Sequence, residues 1–268
     1  MIKPSTKDVL IIQEIMRILF IGDVYMEQGR IAFEKYFPQV KDQYKPQFVI
    51  LNGENIANGN GVSEEIYKYL MTMGINVITL GNHAFSRKDA ATVLEYPNIT
   101  RPANYGKGAK GKEYVTMNFN GKTITVINLL GRVFMGDQID NPFTKMDELL
   151  SKIQSDYIIV DFHAEATSEK TAMATYLDGR IDALLGTHTH VPTADACIMP
   201  KGMMYITDVG MTGVRFGVIG GSSEQAIRKF LTGVPERTVP ETKGPLQFNA
   251  VFLDLANRKI EKITIFES

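Results

Sequence analysis

Short apolar runs recur along the chain, and each ends in polar or glycine residues. They are Ile18–Ile21, Phe48–Leu51, Val77–Leu80, Ile124–Leu130, Tyr157–Val160, Ala183–Leu185, Met203–Ile206, Ala250–Leu253 and Ile263–Phe266. Short runs rich in β-branched residues predict strands covered on both faces. Helical segments with readable starts lie between them. Ser63 predicts the cap of a helix that ends at Gly74. Ser86 with Asp89 forms a capping-box pattern before Ala90–Leu94, and Thr144 with Asp147 repeats it. Ser168 opens a segment closed by Gly179, and Ser223–Leu231 reads as a late helix. Strand–helix alternation through residue 190 predicts an α/β fold with a largely parallel sheet. Helices then thin out, so several late strands are expected to pair in a second sheet. Val234–Pro245, with its three prolines, reads as a loop before a closing hairpin. Gly106–Gly111 reads as a turn. No linker composition divides the chain. One domain is expected over residues 16–268, with residues 1–15 an N-terminal extension outside the pattern and Met16 an alternative start.

The informative positions follow the strands. Ile18–Ile21 leads into Gly22-Asp23, Phe48–Leu51 into Asn52-Gly53-Glu54-Asn55, and Val77–Leu80 into Gly81-Asn82-His83. Tyr157–Val160 leads into Asp161-Phe162-His163, and Ala183–Leu185 into Gly186-Thr187-His188-Thr189-His190. Open α/β sheets bind ligands at the carboxyl ends of their strands. Any one of these groups alone is ordinary turn chemistry. Their joint occurrence is not, because all four histidines of the chain stand at strand exits beside acids and amides.

Composition narrows the chemistry. Cys197 is the only cysteine, so no intrachain disulfide and no thiolate-built metal centre can form. Lysine plus arginine is 29 and aspartate plus glutamate is 30, giving a net charge of −1. That argues against a stable nucleic-acid complex or an anionic membrane surface as the main partner. No run approaches the roughly 18 apolar residues of a spanning helix, and there is no signal-peptide core. A cytoplasmic location is therefore expected. Asp23, Glu54, Asn55, Asn82, His163, His188 and His190 offer only nitrogen and oxygen donors. Such a set suits catalytic iron, manganese or zinc. Seven donors are too many for one tetrahedral ion and suit two ions that share a carboxylate. Two divalent ions activate water and stabilise the entering and leaving oxygens of a phosphoryl transfer. His83, beside Asn82, is placed to protonate a leaving oxygen.

The Gly22-Asp23, Asn52–Asn55, Gly81–His83, His163 and Gly186–His190 series resembles the motifs of the calcineurin-like metallophosphoesterases. Asp161–Lys170 and Tyr205–Gly213 resemble the longer signatures of one bacterial branch, phosphodiesterases of 2′,3′-cyclic (and 3′,5′-cyclic) nucleotides. The resemblance spans about residues 16–266. Two positions depart from the wider superfamily. Tyr25 stands where its first motif usually carries histidine, and Glu54 where it usually bridges with aspartate. Both departures are shared with the bacterial branch. The resemblance implies a four-layer α/β/β/α sandwich, two mixed sheets flanked by helices. It implies that Asp23, Asn55 and His190 hold one metal, that Asn82, His163 and His188 hold the other, and that Glu54 bridges. Iron or manganese is the expected metal, with zinc also compatible. His83 becomes the general acid in hydrolysis of a small phosphodiester by a metal-activated hydroxide.

Two other readings use the same site. One is a phosphomonoesterase or nucleotidase; the other is a non-enzymatic regulator that binds a phosphate ligand through metals. A homo-oligomer is left open. Secondary candidates are Arg132 and the loop to Phe143 as pocket walls, Asp161 as an orienting acid, and Gly210–Gly220 with Arg215 as a rim or subunit contact. Cys197 is expected to be packed rather than reactive, and the 13 methionines to fill the core.

Overall fold

The computed structural model describes residues 16–136 and 138–268. The expected N-terminal extension, residues 1–15, lies outside them. An eight-stranded sheet runs in the order β2 (Asp23–Val24), β12 (Met211–Val214), β13 (Leu246–Asp254), β1 (Arg17–Ile21), β3 (Phe48–Asn52), β4 (Val77–Thr79), β5 (Ile99–Thr100), with β14 (Lys259–Phe266) paired to β13. A six-stranded sheet runs β10 (Cys197–Ile198), β11 (Met204–Ile206), β9 (Ala183–Thr187), β8 (Tyr157–His163), β7 (Lys122–Leu130), β6 (Tyr114–Phe119). The helices are α1 (Met26–Tyr44), α2 (Glu64–Met73), α3 (Ala90–Val93), α4 (Pro142–Leu150), α5 (Thr167–Leu177) and α6 (Ser223–Thr232).

Side chains alternate across a strand, so one run serves two cores. On β1, Ile18 and Phe20 face the second sheet and pack with Ile124, Val126, Ile159 and Leu185. Leu19 and Ile21 point the other way, onto Phe33 and Phe37 of α1 and Leu70 of α2. On β8, Ile159 enters the intersheet core, while Val160 and Phe162 meet Met173 and Leu177 of α5. Each central strand is covered on both faces, which is why the runs read as continuously apolar. The result is the expected α/β/β/α sandwich.

Two expectations about the sheets are corrected. Strand–helix alternation does not build one sheet: β1, β3 and β4 are parallel in the first, and β7, β8 and β9 in the second. The late strands do not form a sheet of their own. β11 pairs β9, whereas β13 inserts antiparallel beside β1.

Helix starts fared unevenly. Ser63 accepts from the Ile66 N–H and Gly74 closes α2 in the left-handed region, as expected. No side chain caps α3 at Asp89, whose carboxylate binds Arg87 instead. α4 begins before Thr144, because Asn141 accepts from the Phe143 N–H and Pro142 supplies the first turn. α1, the longest helix, carries no start signal: Tyr25 precedes it without a side-chain cap, and Pro38 lies inside it.

Candidate active site

The eight residues singled out by sequence converge at one end of the sandwich. Asp23 lies on β2, immediately after Gly22. Glu54 and Asn55 follow β3, and Asn82 and His83 follow β4. β8 runs further than the apolar pattern indicates and carries Asp161 and His163 on the strand itself. His188 and His190 follow β9 in a turn where both take positive φ, 100° and 68°. Three exits belong to the first sheet and two to the second, so the site spans both sheets rather than one sheet edge.

Two groups form, joined by one acid. In the first, Asp23 Oδ2 lies 3.0 Å from His190 Nε2 and 2.7 Å from Asn55 Nδ2. In the second, His163 Nε2 lies 3.1 Å from Asn82 Oδ1 and 3.0 Å from His188 Nδ1. Glu54 Oε1 lies 3.2 Å from His163 Nε2 and 3.1 Å from His83 Nδ1. His83 Nδ1 is also 3.1 Å from Asn55 Oδ1, which ties Glu54 to the first group. Gly81 makes this closeness achievable, since a Cβ there would stand 1.8 Å from Glu54 Oε2 and 2.5 Å from the His163 ring.

Surrounding residues fix how each imidazole is presented. Asp161 is fully buried and accepts from Asn52 Nδ2, Thr79 Oγ1 and Thr187 Oγ1. The Thr187 hydroxyl has one proton and gives it to Asp161, so it accepts from His163 Nδ1 at 2.9 Å. That leaves His163 Nε2 facing the group. His190 Nδ1 donates to the Ile219 carbonyl at 2.8 Å, leaving Nε2 facing Asp23. His188 Nε2 lies 3.1 Å from Glu165 Oε2, leaving Nδ1 facing His163. The His188–His190 turn has its own anchor. Lys170, buried in α5, donates to the Thr187 carbonyl and pairs with Asp208 at 2.7 Å. Asp208 in turn accepts the Thr189 N–H at 3.1 Å. Asp161 thus orients, as its position suggested. Thr187, Lys170, Asp208 and Ile219 had no role assigned from sequence, although each lies in a stretch singled out there: Gly186–His190, Asp161–Lys170, Tyr205–Gly213 and Gly210–Gly220.

The electrostatics differ from group to group. Burial opposes ionisation of Glu54, but His163 and His83 outweigh it and hold the carboxyl well below the usual range. Burial works against a charged His190, yet Asp23 pushes it up to about 9. Burial, with His163 nearby, drives His188 down to about 3.

An open cavity of about 810 Å³ lies over the groups. Tyr25, with its ring edge-on to His190 at 5.1 Å, forms part of its wall, as do Val218 and Ile219. Among the secondary candidates, the Gly210–Gly220 segment reaches this wall through Val218 and Ile219, whereas Arg132 and Arg215 sit elsewhere. Arg132 is exposed and does not line the cavity; its N–H is held by Glu169, which also accepts from Val133. Arg215 stacks 3.8 Å from the Phe266 ring. Cys197 is exposed rather than packed, because β10 is an edge strand lying outside the cores.

A family model described as "YmdB-like protein" matches residues 19–266. The chain belongs to the YmdB-like family. It is 48% identical over 252 residues to the 2′,3′-cyclic-nucleotide 2′-phosphodiesterase of Bacillus subtilis, covering 92% of this chain and 95% of that one. A crystal structure described as a novel phosphatase of Mycoplasma pneumoniae superposes with a TM-score of 0.89 at 40% identity, covering 96% of this chain and 95% of that one. A hypothetical protein from Thermus thermophilus gives a TM-score of 0.88 at 42% identity, covering 94% and 100%.

The metallophosphoesterase fold of the YmdB-like family implies metal ions, and the donors fit them. Buried Asp23 Oδ1 has no hydrogen-bond partner. Each of the three imidazoles turns one nitrogen into the groups while the other is held by an acceptor, the arrangement usual for metal-binding histidine. With both imidazoles neutral, His163 Nε2 and His188 Nδ1 would oppose two lone pairs at 3.0 Å, a conflict that a cation held by both would remove. Acids and imidazoles alone, among the described residues, make no metal-holding group of three. The asparagines are therefore needed to complete each set.

Proposed function

We propose that this chain is a metal-dependent phosphodiesterase that hydrolyses 2′,3′-cyclic nucleotides. The observation that carries the reading is the joined pair of donor groups with Glu54 between them and His83 at its side. Kinship with the Bacillus phosphodiesterase supports the substrate class. Asp23, Asn55 and His190 would hold one ion, and Asn82, His163 and His188 the other, with Glu54 shared. Bound there, the two ions supply Lewis acidity and activated water. The protein supplies position and a proton. His83 is half exposed at the cavity wall, with Nδ1 held by Glu54 and Asn55, so its Nε2 faces the space a substrate enters. The hydrogen bond to Glu54 raises the His83 pKa against the effect of burial, favouring the protonated acid. That proton passes to the departing ribose oxygen as the ring ester opens. Tyr25 and Ile219 would keep the His190 ring in place during turnover.

The test is metal analysis combined with turnover of 2′,3′-cyclic AMP, 3′,5′-cyclic AMP, bis-p-nitrophenyl phosphate and p-nitrophenyl phosphate. Hydrolysis of the 2′,3′-cyclic ester and the diester, with little monoester turnover, is expected. Preference for the monoester would favour a phosphatase, and metal-dependent binding without turnover a regulator.

A further inference from the structure

The cavity is larger than a cyclic mononucleotide needs. Its volume of about 810 Å³ lies near the top of the ~300–1,000 Å³ range of small-ligand sites. Its wall extends from the donor groups to α6 and residues 236–238. There the cavity is lined by Gln225, Lys229, Phe230 and Arg237. Gln225 braces this wall, because its amide donates to the Arg237 carbonyl and accepts the Val239 N–H. Lys229 and Arg237 are exposed, and neither side chain pairs with a carboxylate among the described residues. The acids on the same lining are engaged: Glu236 holds Arg228 at 2.8 Å, and Glu165 holds His188. Phe230 leaves 83% of its surface in water. Two free cations beside an exposed aromatic ring match single-stranded nucleic acid, which proteins bind by phosphate contacts and base stacking.

We infer that the site acts on oligoribonucleotides ending in a 2′,3′-cyclic phosphate, with Lys229 and Arg237 taking the phosphate upstream of the ring and Phe230 stacking a preceding base. The inference rests on the phosphodiesterase reading above. Water oxygen bonds to phosphorus, one P–O bond of the ring breaks, and the freed ribose oxygen takes a proton. The product is the same chain with a terminal phosphomonoester. The near-zero net charge does not oppose this, because the contacts are local and a substrate need only be held for a turnover.

The experiment compares kcat/KM for a triadenylate ending in 2′,3′-cyclic phosphate with that for 2′,3′-cyclic AMP, using metal-loaded full-length protein. The trinucleotide should be preferred by about tenfold. Its kcat/KM should also fall more steeply with salt, by a slope of about −0.7 per extra phosphate held. Arg237→Ala should remove about one such increment, and Phe230→Ala most of the preference, while the two substrates converge. Both positions are on the surface, so folding is not at risk. Turnover of cyclic AMP without preference for the trinucleotide overturns the inference and leaves the phosphodiesterase reading standing. Turnover of neither overturns both. If Phe230→Ala changes the sedimentation behaviour but not the preference, the α6 face serves a second copy of the chain and the inference falls.

Discussion

At the residue scale the site depends on which atom each side chain offers. His83 touches the shared acid but belongs to neither donor group, so its removal separates proton transfer from metal binding. His83→Ala is expected to keep both ions by metal analysis and to lose about 10²–10⁴-fold in kcat. Full turnover would remove it from the mechanism. Asp23 is the opposite case. One of its oxygens is buried without a partner and the other faces His190 and Asn55. Asp23→Ala is expected to lower the content from two ions per chain to one, and unchanged content would contradict the assignment. The positions of these residues were legible in the sequence because each follows a strand. The proton arrangement was not, because it depends on Thr187, Glu165 and the Ile219 carbonyl, which reach the histidines from other segments.

At the element scale the His188–His190 turn is held from outside. Its positive φ angles are unfavourable for residues with a Cβ, and they persist because neighbouring structure over-determines them. α5 contributes Lys170 and the segment after β11 contributes Asp208, a pair buried on both sides. Lys170→Met leaves Asp208 buried without its partner and is expected to cost about 3–5 kcal/mol, read from the urea midpoint. A loss below about 1 kcal/mol, the range of surface pairs, would contradict the buried-pair account. The nine apolar runs all became strands, since burial on both faces is visible as composition. The strands that were missed, β2, β5, β6, β10 and β12, are mostly of two to four residues and too short for a periodic signal. α1 escaped because helix starts are read from caps, and it has none. The expectation that Cys197 is packed failed at this scale too, for its strand has two residues at a sheet edge.

At the scale of the whole molecule, the two donor groups draw on both sheets. Ions held there would attach to the folded chain and not to the unfolded one, and so would stabilise the sandwich by mass action. Each site filled at a hundredfold excess over Kd contributes about 2.7 kcal/mol. Chelation is therefore expected to lower Tm, and re-addition of metal to restore it; an unchanged Tm would mean the sites are empty in the folded protein. The described structure starts at Met16, whose buried carbonyl accepts the Leu255 N–H. A chain beginning at Met16 is expected to match the full chain in Tm and turnover, and loss of either would assign residues 1–15 to the domain. No described helix is long and apolar enough to cross a membrane.

By itself the sequence determined where nine of the fourteen described strands run, which side chains leave them, and that the candidate donors offer nitrogen and oxygen alone. These are local properties, set by runs of a few residues and by the single cysteine. Tertiary structure decided which strands share a sheet, how β13 enters beside β1, and which nitrogen of each histidine faces the donors. Those outcomes depend on pairings between residues tens to hundreds of positions apart. No local pattern encodes them, because strands of equal apolarity can pair in several orders and only packing of the whole sandwich selects one.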